Sequence, residues 1–192
     1  MKLTYTLVLA ALIASAGTLA NAKDTFKLSS SDIKPNTRIE LKHVFKGFGC
    51  EGKNVSPALA WSGAPAGTKS FALLVHDANA PTGGAGWWHW VAYNIPADAK
   101  AIDQGAGTAD GAKLPKGTLQ TNTDFGAQGW GGPCPPQGNG THNYIFTLHA
   151  LKTDKLELPA GATASLAGYM INGNSLGKAT LRGVYSRPAV KR

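Results

Sequence analysis

Residues 143–151 read NYIFTLHAL and residues 69–76 read KSFALLVH. In the first stretch Tyr144, Phe146 and Leu148 share one face of an extended chain. Ile145, Thr147 and His149 share the other, as a two-residue repeat requires. Short β-branched and aromatic runs bounded by Gly, Pro, Asn and Asp clusters predict strands. The pattern recurs at 38–44 (RIELKHV), 57–61, 88–95 (WHWVAYNI) and 179–185 (ATLRGVY). One segment reads differently. In 163–172 Thr163 is placed to cap a helix, Leu166, Tyr169 and Met170 fall on one side, and Gly173 is placed to end it. A mainly β, antiparallel protein with little helix is the expectation.

The chain has 192 residues, 43% hydrophobic and 16% charged, which is apolar material for one core and argues for one domain. Its 24 Gly and 11 Pro are scattered without a period, which excludes collagen and disfavours a helical architecture. Lys and Arg number 19 against 11 Asp and Glu, a formal charge of +8. The positive residues lie singly, with no basic cluster and no nucleic-acid-binding motif. The charge is therefore read as tuning solubility and attraction to anions, with no nucleic acid as partner.

Met1-Lys2, the apolar run Leu7 to Ala14 (LVLAALIA) and Ala20-Asn21-Ala22 together form an export signal, with cleavage expected after Ala22. The run is too short to cross a bilayer comfortably, and no later stretch comes close, so no integral membrane span is expected. Residues 23–192 then form a single domain that is periplasmic or secreted. Export bears on Cys50 and Cys134, the two cysteines of the chain. An oxidising compartment favours a bridge between them, against the alternative of two separate buried thiols. No CxxC spacing supports a zinc cage.

Two connections are unlike ordinary loops. Residues 77–87 (DANAPTGGAGW) and 126–141 (GAQGWGGPCPPQGNGT) are long, rich in Gly and Pro, and interleaved with Trp. Such a composition builds shaped loops, and long structured loops on a β scaffold are where binding sites lie. Beside them stand Asp77, His89, His142 and Tyr144. Imidazoles and a phenol can donate to an anion, loop amides can add donors, and a carboxylate can orient a histidine. A satisfied core or surface polar residue is the plainer reading of any one alone.

Two competing chemistries are weaker. The five histidines (43, 76, 89, 142 and 149) form no HxxxH or HExxH pair, so no metal is expected. Gly173-Asn174-Ser175-Leu176-Gly177 matches GxSxG, but a nucleophile elbow needs a strand before it and an acid and histidine after it. Here a helix is expected before it, and 178–192 hold no His, Asp or Glu. A serine hydrolase at Ser175 would have to use upstream partners.

Several stretches together resemble the phosphatidylethanolamine-binding protein family, in its bacterial Raf kinase inhibitor-like branch. They are FGCEGKNVSPALAW (48–61), DANAP (77–81), GWWHWVAYNIP (86–96), GGPCPP (131–136), THNYIFTLHAL (141–151) and ATLRGVY (179–185). The resemblance implies a Greek-key β-sandwich with a large antiparallel sheet and a few peripheral helices. It implies a pocket for small anions or phospholipid head groups lined by Asp77, Trp87, His89, Pro136, His142 and Tyr144. It also brings the Cys50 loop near the Cys134 loop, in favour of the disulfide. The chain departs from the family's usual motifs at Ala78, at Asn79 in place of an aspartate, and at Asn143 in place of an arginine. The leader and the resemblance together predict an exported, non-catalytic binding protein without cofactor. By their chemistry His89, His142 and Tyr144 are expected to donate to the anion and Asp77 to orient a histidine. The alternative is a protein–protein modulator, an inhibitor of a hydrolase, kinase or host factor that uses the pocket-rim loops, with a homodimer as a further partner reading.

Overall fold

The computed structural model describes residues 25–190, so the export signal expected over 1–22 lies outside the described residues. The elements run β1 (Lys27–Ser29), β2 (Lys46–Gly47), β3 (Cys50–Glu51), β4 (Leu59–Ser62), β5 (Ser70–Asp77) and β6 (Trp87–Pro96). After these come β7 (Ala101–Ile102), β8 (Leu119–Gln120), β9 (Thr141–Leu151), α1 (Ala164–Asn174) and β10 (Ser175–Ser186). Five strands form the main sheet in the order β10-β9-β5-β6-β8, every pair antiparallel. β9 returns over a long connection to lie beside β5, on the side away from β6, which is the Greek-key order. β1, β4 and β7 make a second antiparallel sheet, and β2 pairs with β3 in a separate hairpin.

The main sheet is covered on both faces. On one, Phe71, Leu73, Val75, Trp90, Phe146 and Leu148 join Leu28, Leu59 and Trp61 of the second sheet in the larger core. On the other, Ala72, Leu74, Val91 and Leu151 lie under Ala164, Ala167 and Ile171 of α1. This explains the nearly unbroken apolar run of β5: a strand buried on both faces has no polar side to alternate. Each large side chain so buried contributes about 1.5–3 kcal/mol.

Three expectations need correction. Residues 38–44 are not a strand. Arg38 makes one parallel bridge to Val184, with Ile39 N–H donating to Val184 O at 2.8 Å, and the chain then turns through a 3-10 helix over Leu41–His43. The bridge covers the free edge of β10, and the turn carries His43 inward, where its Nδ1 meets Val55 O at 2.7 Å. The helix forms with Thr163 as its cap, accepting from Leu166 N–H at 3.2 Å, but it buries the opposite face from the one expected. Ala164, Ala167, Gly168 and Ile171 face the sheet, while Tyr169 is 79% exposed. The helix lies close to the sheet, so that a Cβ on Gly168 would already be in van der Waals contact with the Trp88 ring at 3.6 Å, which leaves room on this face for small residues. Nor does Gly173 end the helix; it continues to Asn174 and passes directly into β10.

Candidate functional site: a pocket at one end of the main sheet

Antiparallel pairing sets the end of β5 beside the beginnings of β6 and β9. Asp77 accordingly stands opposite Trp87 on one side and Tyr144 on the other. A register shift at Val75/His76 adds an extra residue to β6, since Val75 faces Trp90 while His76 faces Trp88. The bulge lets two consecutive side chains, His89 and Trp90, turn toward the larger core, while Trp88 and Val91 serve the helix side. His89 is thereby aimed into a cavity of about 220 Å³. All six residues expected from the sequence line it: Asp77, Trp87, His89, Pro136, His142 and Tyr144.

The polar groups form an ordered set. His142 Nδ1 donates to Asp77 Oδ2 at 2.7 Å, and its Nε2 meets the Asn139 carboxamide at 2.9 Å. Asp77 Oδ1 accepts from Asn79 N–H at 2.9 Å, so both carboxylate oxygens are engaged. His89 Nδ1 lies 2.5 Å from Gly131 O. A carbonyl can only accept, so Nδ1 carries the proton. Burial above all holds the His89 pKa down at about 4, which keeps the ring neutral at pH 7 and leaves Nε2 as a lone pair. His89 is thus an acceptor toward the cavity, where the sequence suggested a donor. Tyr144 Oη is buried without a hydrogen-bond partner. Burial first, and then the nearby Asp77 charge, pushes its phenol well above the ordinary range. Asp77 thus bears on the phenol chiefly through its charge, while no group among the described residues makes a full hydrogen bond to Tyr144 Oη.

The walls come from the two shaped loops and from the β2–β3 turn and Phe125, which the sequence did not single out as pocket residues. Gly131 and Gly132 are required by close approach: a Cβ on Gly131 would stand 2.3 Å from the Phe125 ring, and one on Gly132 would stand 2.0 Å from His43 O. Asn54 holds this loop by accepting from Gly132 N–H at 2.8 Å and donating to Trp130 O at 2.9 Å. The Cys50–Cys134 disulfide, with Cα atoms 6.0 Å apart, ties the β2–β3 hairpin to the same loop. Phe48, Phe125 and Pro135 add to the wall, and among the described residues no Lys or Arg lines the cavity. Phe48 was missed although it sits between two glycines ahead of the cysteine, the setting of a tight turn.

Ser175 belongs elsewhere. It opens β10 behind a helix, the reverse of a nucleophile elbow, and its Oγ lies 3.1 Å from His149 Nδ1 and 3.1 Å from Gly177 O. Burial and then the Lys178 charge lower the His149 pKa to about 4. No carboxylate is bonded to this histidine among the described residues. Among those residues no three His, Cys, Asp or Glu side chains gather as metal ligands, and no helix is long and apolar enough to cross a membrane.

A family model described as phosphatidylethanolamine-binding protein matches residues 29–186. The chain belongs to this family. It is 49% identical to Escherichia coli YbcL over 160 residues, which are 83% of this chain and 87% of that protein. Escherichia coli YbhB is 45% identical over 160 residues, covering 83% of this chain and 99% of its own. The crystal structure of YbcL superposes with a TM-score of 0.81 at 48% identity, covering 86% of this chain and 99% of that one. In this phosphatidylethanolamine-binding protein family member two of the departures from the usual motifs meet each other. Asn79 Oδ1 accepts from Asn143 N–H at 3.0 Å and from its Nδ2 at 2.8 Å.

Proposed function

We propose that the protein is an exported, non-catalytic binding protein whose pocket holds a small phosphate-like oxyanion, free or as part of a phospholipid head group. The observation that carries this reading is the buried, unpartnered hydroxyl of Tyr144 beside the free Nε2 of His89. No protein group among the described residues satisfies this hydroxyl, so its donor capacity is there for an acceptor entering the cavity. An anionic oxygen on Tyr144 Oη makes the strongest such bond. Trp87 and Pro136 supply the walls. His142, locked to Asp77, holds one side of the pocket in place and offers its Nε2 edge once Asn139 gives way. Export is supported by the Cys50–Cys134 bond, of a kind that persists in oxidising compartments.

The donor and acceptor set also selects the protonation state of the ligand. With no Lys or Arg in the lining among the described residues, a phosphate dianion meets the Asp77 carboxylate and the Nε2 lone pair, and both repel it. A monoanion brings one P–O–H, which donates to Nε2 while another oxygen accepts from Tyr144. Moving that proton to His89 leaves the proton count of the complex unchanged, so the pH dependence is the same either way. Phosphate groups lose their second proton near pH ~6 to 7, and affinity falls as pH rises through that range. Calorimetric titration of inorganic phosphate at pH 5.5 and pH 8 tests this, together with Tyr144→Phe. Weaker binding at pH 8, and a loss of about ten- to a hundredfold in the variant, are expected. Equal affinity of wild type and Tyr144→Phe overturns the assignment.

A further inference from the structure

The β2–β3 hairpin closes through two residues, Phe48 and Gly49, with φ of 51° and 74°. Two left-handed residues in a two-residue hairpin loop call for Asn-Gly, Asp-Gly or Gly-Gly. An aromatic residue is a poor choice for the first position, because its Cβ crowds the backbone there. Nor does the core require it: Phe48 is 69% exposed. A residue that suits neither the turn nor the interior is explained by what it faces, which is the pocket.

We propose that Phe48 is a specificity-determining residue that selects ligands whose oxyanion carries an apolar substituent. The inference rests on the oxyanion reading above and adds the chemical class of the ligand. Phe48 lies nearly parallel to Phe125, at 6.0 Å and 12° between planes, and 5.2 Å from Phe45. Phe125 in turn packs edge-to-face with His89 and with Trp87, at ring separations of 5.4 Å and 5.5 Å. The aromatic surface therefore runs without a break from the oxyanion end to the mouth. The hairpin is held in position by the disulfide on one side and by Arg187 Nη2 donating to Gly49 O at 2.7 Å on the other. A bare phosphate at Tyr144 and His89 leaves this surface wet. A phosphate ester covers it with its organic group, whether that group is a small ring or a lipid chain.

The test compares three probes, inorganic phosphate, phenyl phosphate and dihexanoyl phosphatidic acid below its micellar concentration, on wild type, Phe48→Asn and Phe48→Tyr. Asparagine suits the turn, so the thermal midpoint of Phe48→Asn holds or rises, which separates recognition from folding. Preference for an ester over inorganic phosphate is expected to fall about three- to tenfold in Phe48→Asn and to be kept in Phe48→Tyr. Loss of preference for phenyl phosphate identifies a small aromatic ester as the ligand type, and loss for the phosphatidic acid identifies a lipid. An unchanged ratio for both esters, with wild type binding phosphate, overturns the role of Phe48 alone. Wild type binding none of the three overturns the oxyanion reading and this inference with it.

Discussion

Strand β9 carries two buried histidines, seven residues apart, and they lead different lives. His142, near its start, is 1% exposed and His149, near its end, is 2% exposed. His142 donates to a carboxylate, stands beside an unpartnered tyrosine hydroxyl, and borders a cavity. Among the described residues the His149 ring bonds only Ser175 Oγ, which also donates to Gly177 O. Burial alone does not distinguish them. A buried polar group earns a functional reading when its neighbours leave bonding capacity unused and space for a ligand to take it up.

The largest way to break the contrast is at the staple. The disulfide closes a loop with a sequence separation of 84, and chain-entropy reasoning assigns such a closure about 4 kcal/mol. Cys50→Ser with Cys134→Ser is expected to lose about that much in urea unfolding and to weaken phosphate binding as well. The bond holds the hairpin bearing Phe48 against the loop bearing Pro135 and Pro136. The Ser175–His149 contact has no such tie to lose. A double variant with wild-type phosphate affinity would mean that the hairpin keeps its place without the bond.

Acid sharpens the comparison next. His89 at the pocket and His149 at the far end both have pKa values lowered to about 4, against about 6.5 in an unfolded chain. Between those values the unfolded chain binds protons that the folded one refuses, so stability falls as pH drops from 6.5 toward 4. Each group accounts for roughly 3 kcal/mol when the drop is complete. The two differ in their remedy. A bound oxyanion accommodates the charge on His89 and has no access to His149. Saturating phosphate is therefore expected to flatten about half of the stability loss between pH 7 and pH 5, and His149→Gln to remove much of the rest. Phosphate stabilising equally at both pH values would contradict the placement of the anion at His89.

The same two ends explain what the sequence could and could not tell. Asp77, His89, His142 and Tyr144 were legible because they sit at strand ends beside loops too rich in Gly, Pro and Trp to be linkers. Antiparallel pairing brings such ends together. The bulge at His89 was not legible, since a register shift depends on both partners. Phe48 and Phe125 were overlooked for a related reason: one lies in a hairpin of two-residue strands and the other in a loop. Their convergence depends on a long-range bond and on glycines that let backbones touch. The segment 38–44 alternates like a strand, yet Leu41 is exposed, because an edge needing one bridge gave the rest no partner.

The smallest effect concerns Asn79 and Asn143, two positions where the chain departs from the motifs it otherwise follows. A carboxylate and a guanidinium at these positions sum to no net charge, and so do two amides. Because Asn79 Oδ1 accepts twice from Asn143, the departures read as one exchange, not two losses. Asn79→Asp alone places a second negative charge beside Asp77 at the pocket and is expected to weaken phosphate severalfold, less so at high salt. Adding Asn143→Arg should restore affinity to near wild type, with a coupling of about 1 kcal/mol or less, because Asn79 is exposed. A double-mutant cycle measures it. Additive losses would mean that the pair acts separately and that the amides tune the pocket, each by its own contact; a restored affinity would mean that only the sum of charge at the mouth matters to the ligand within.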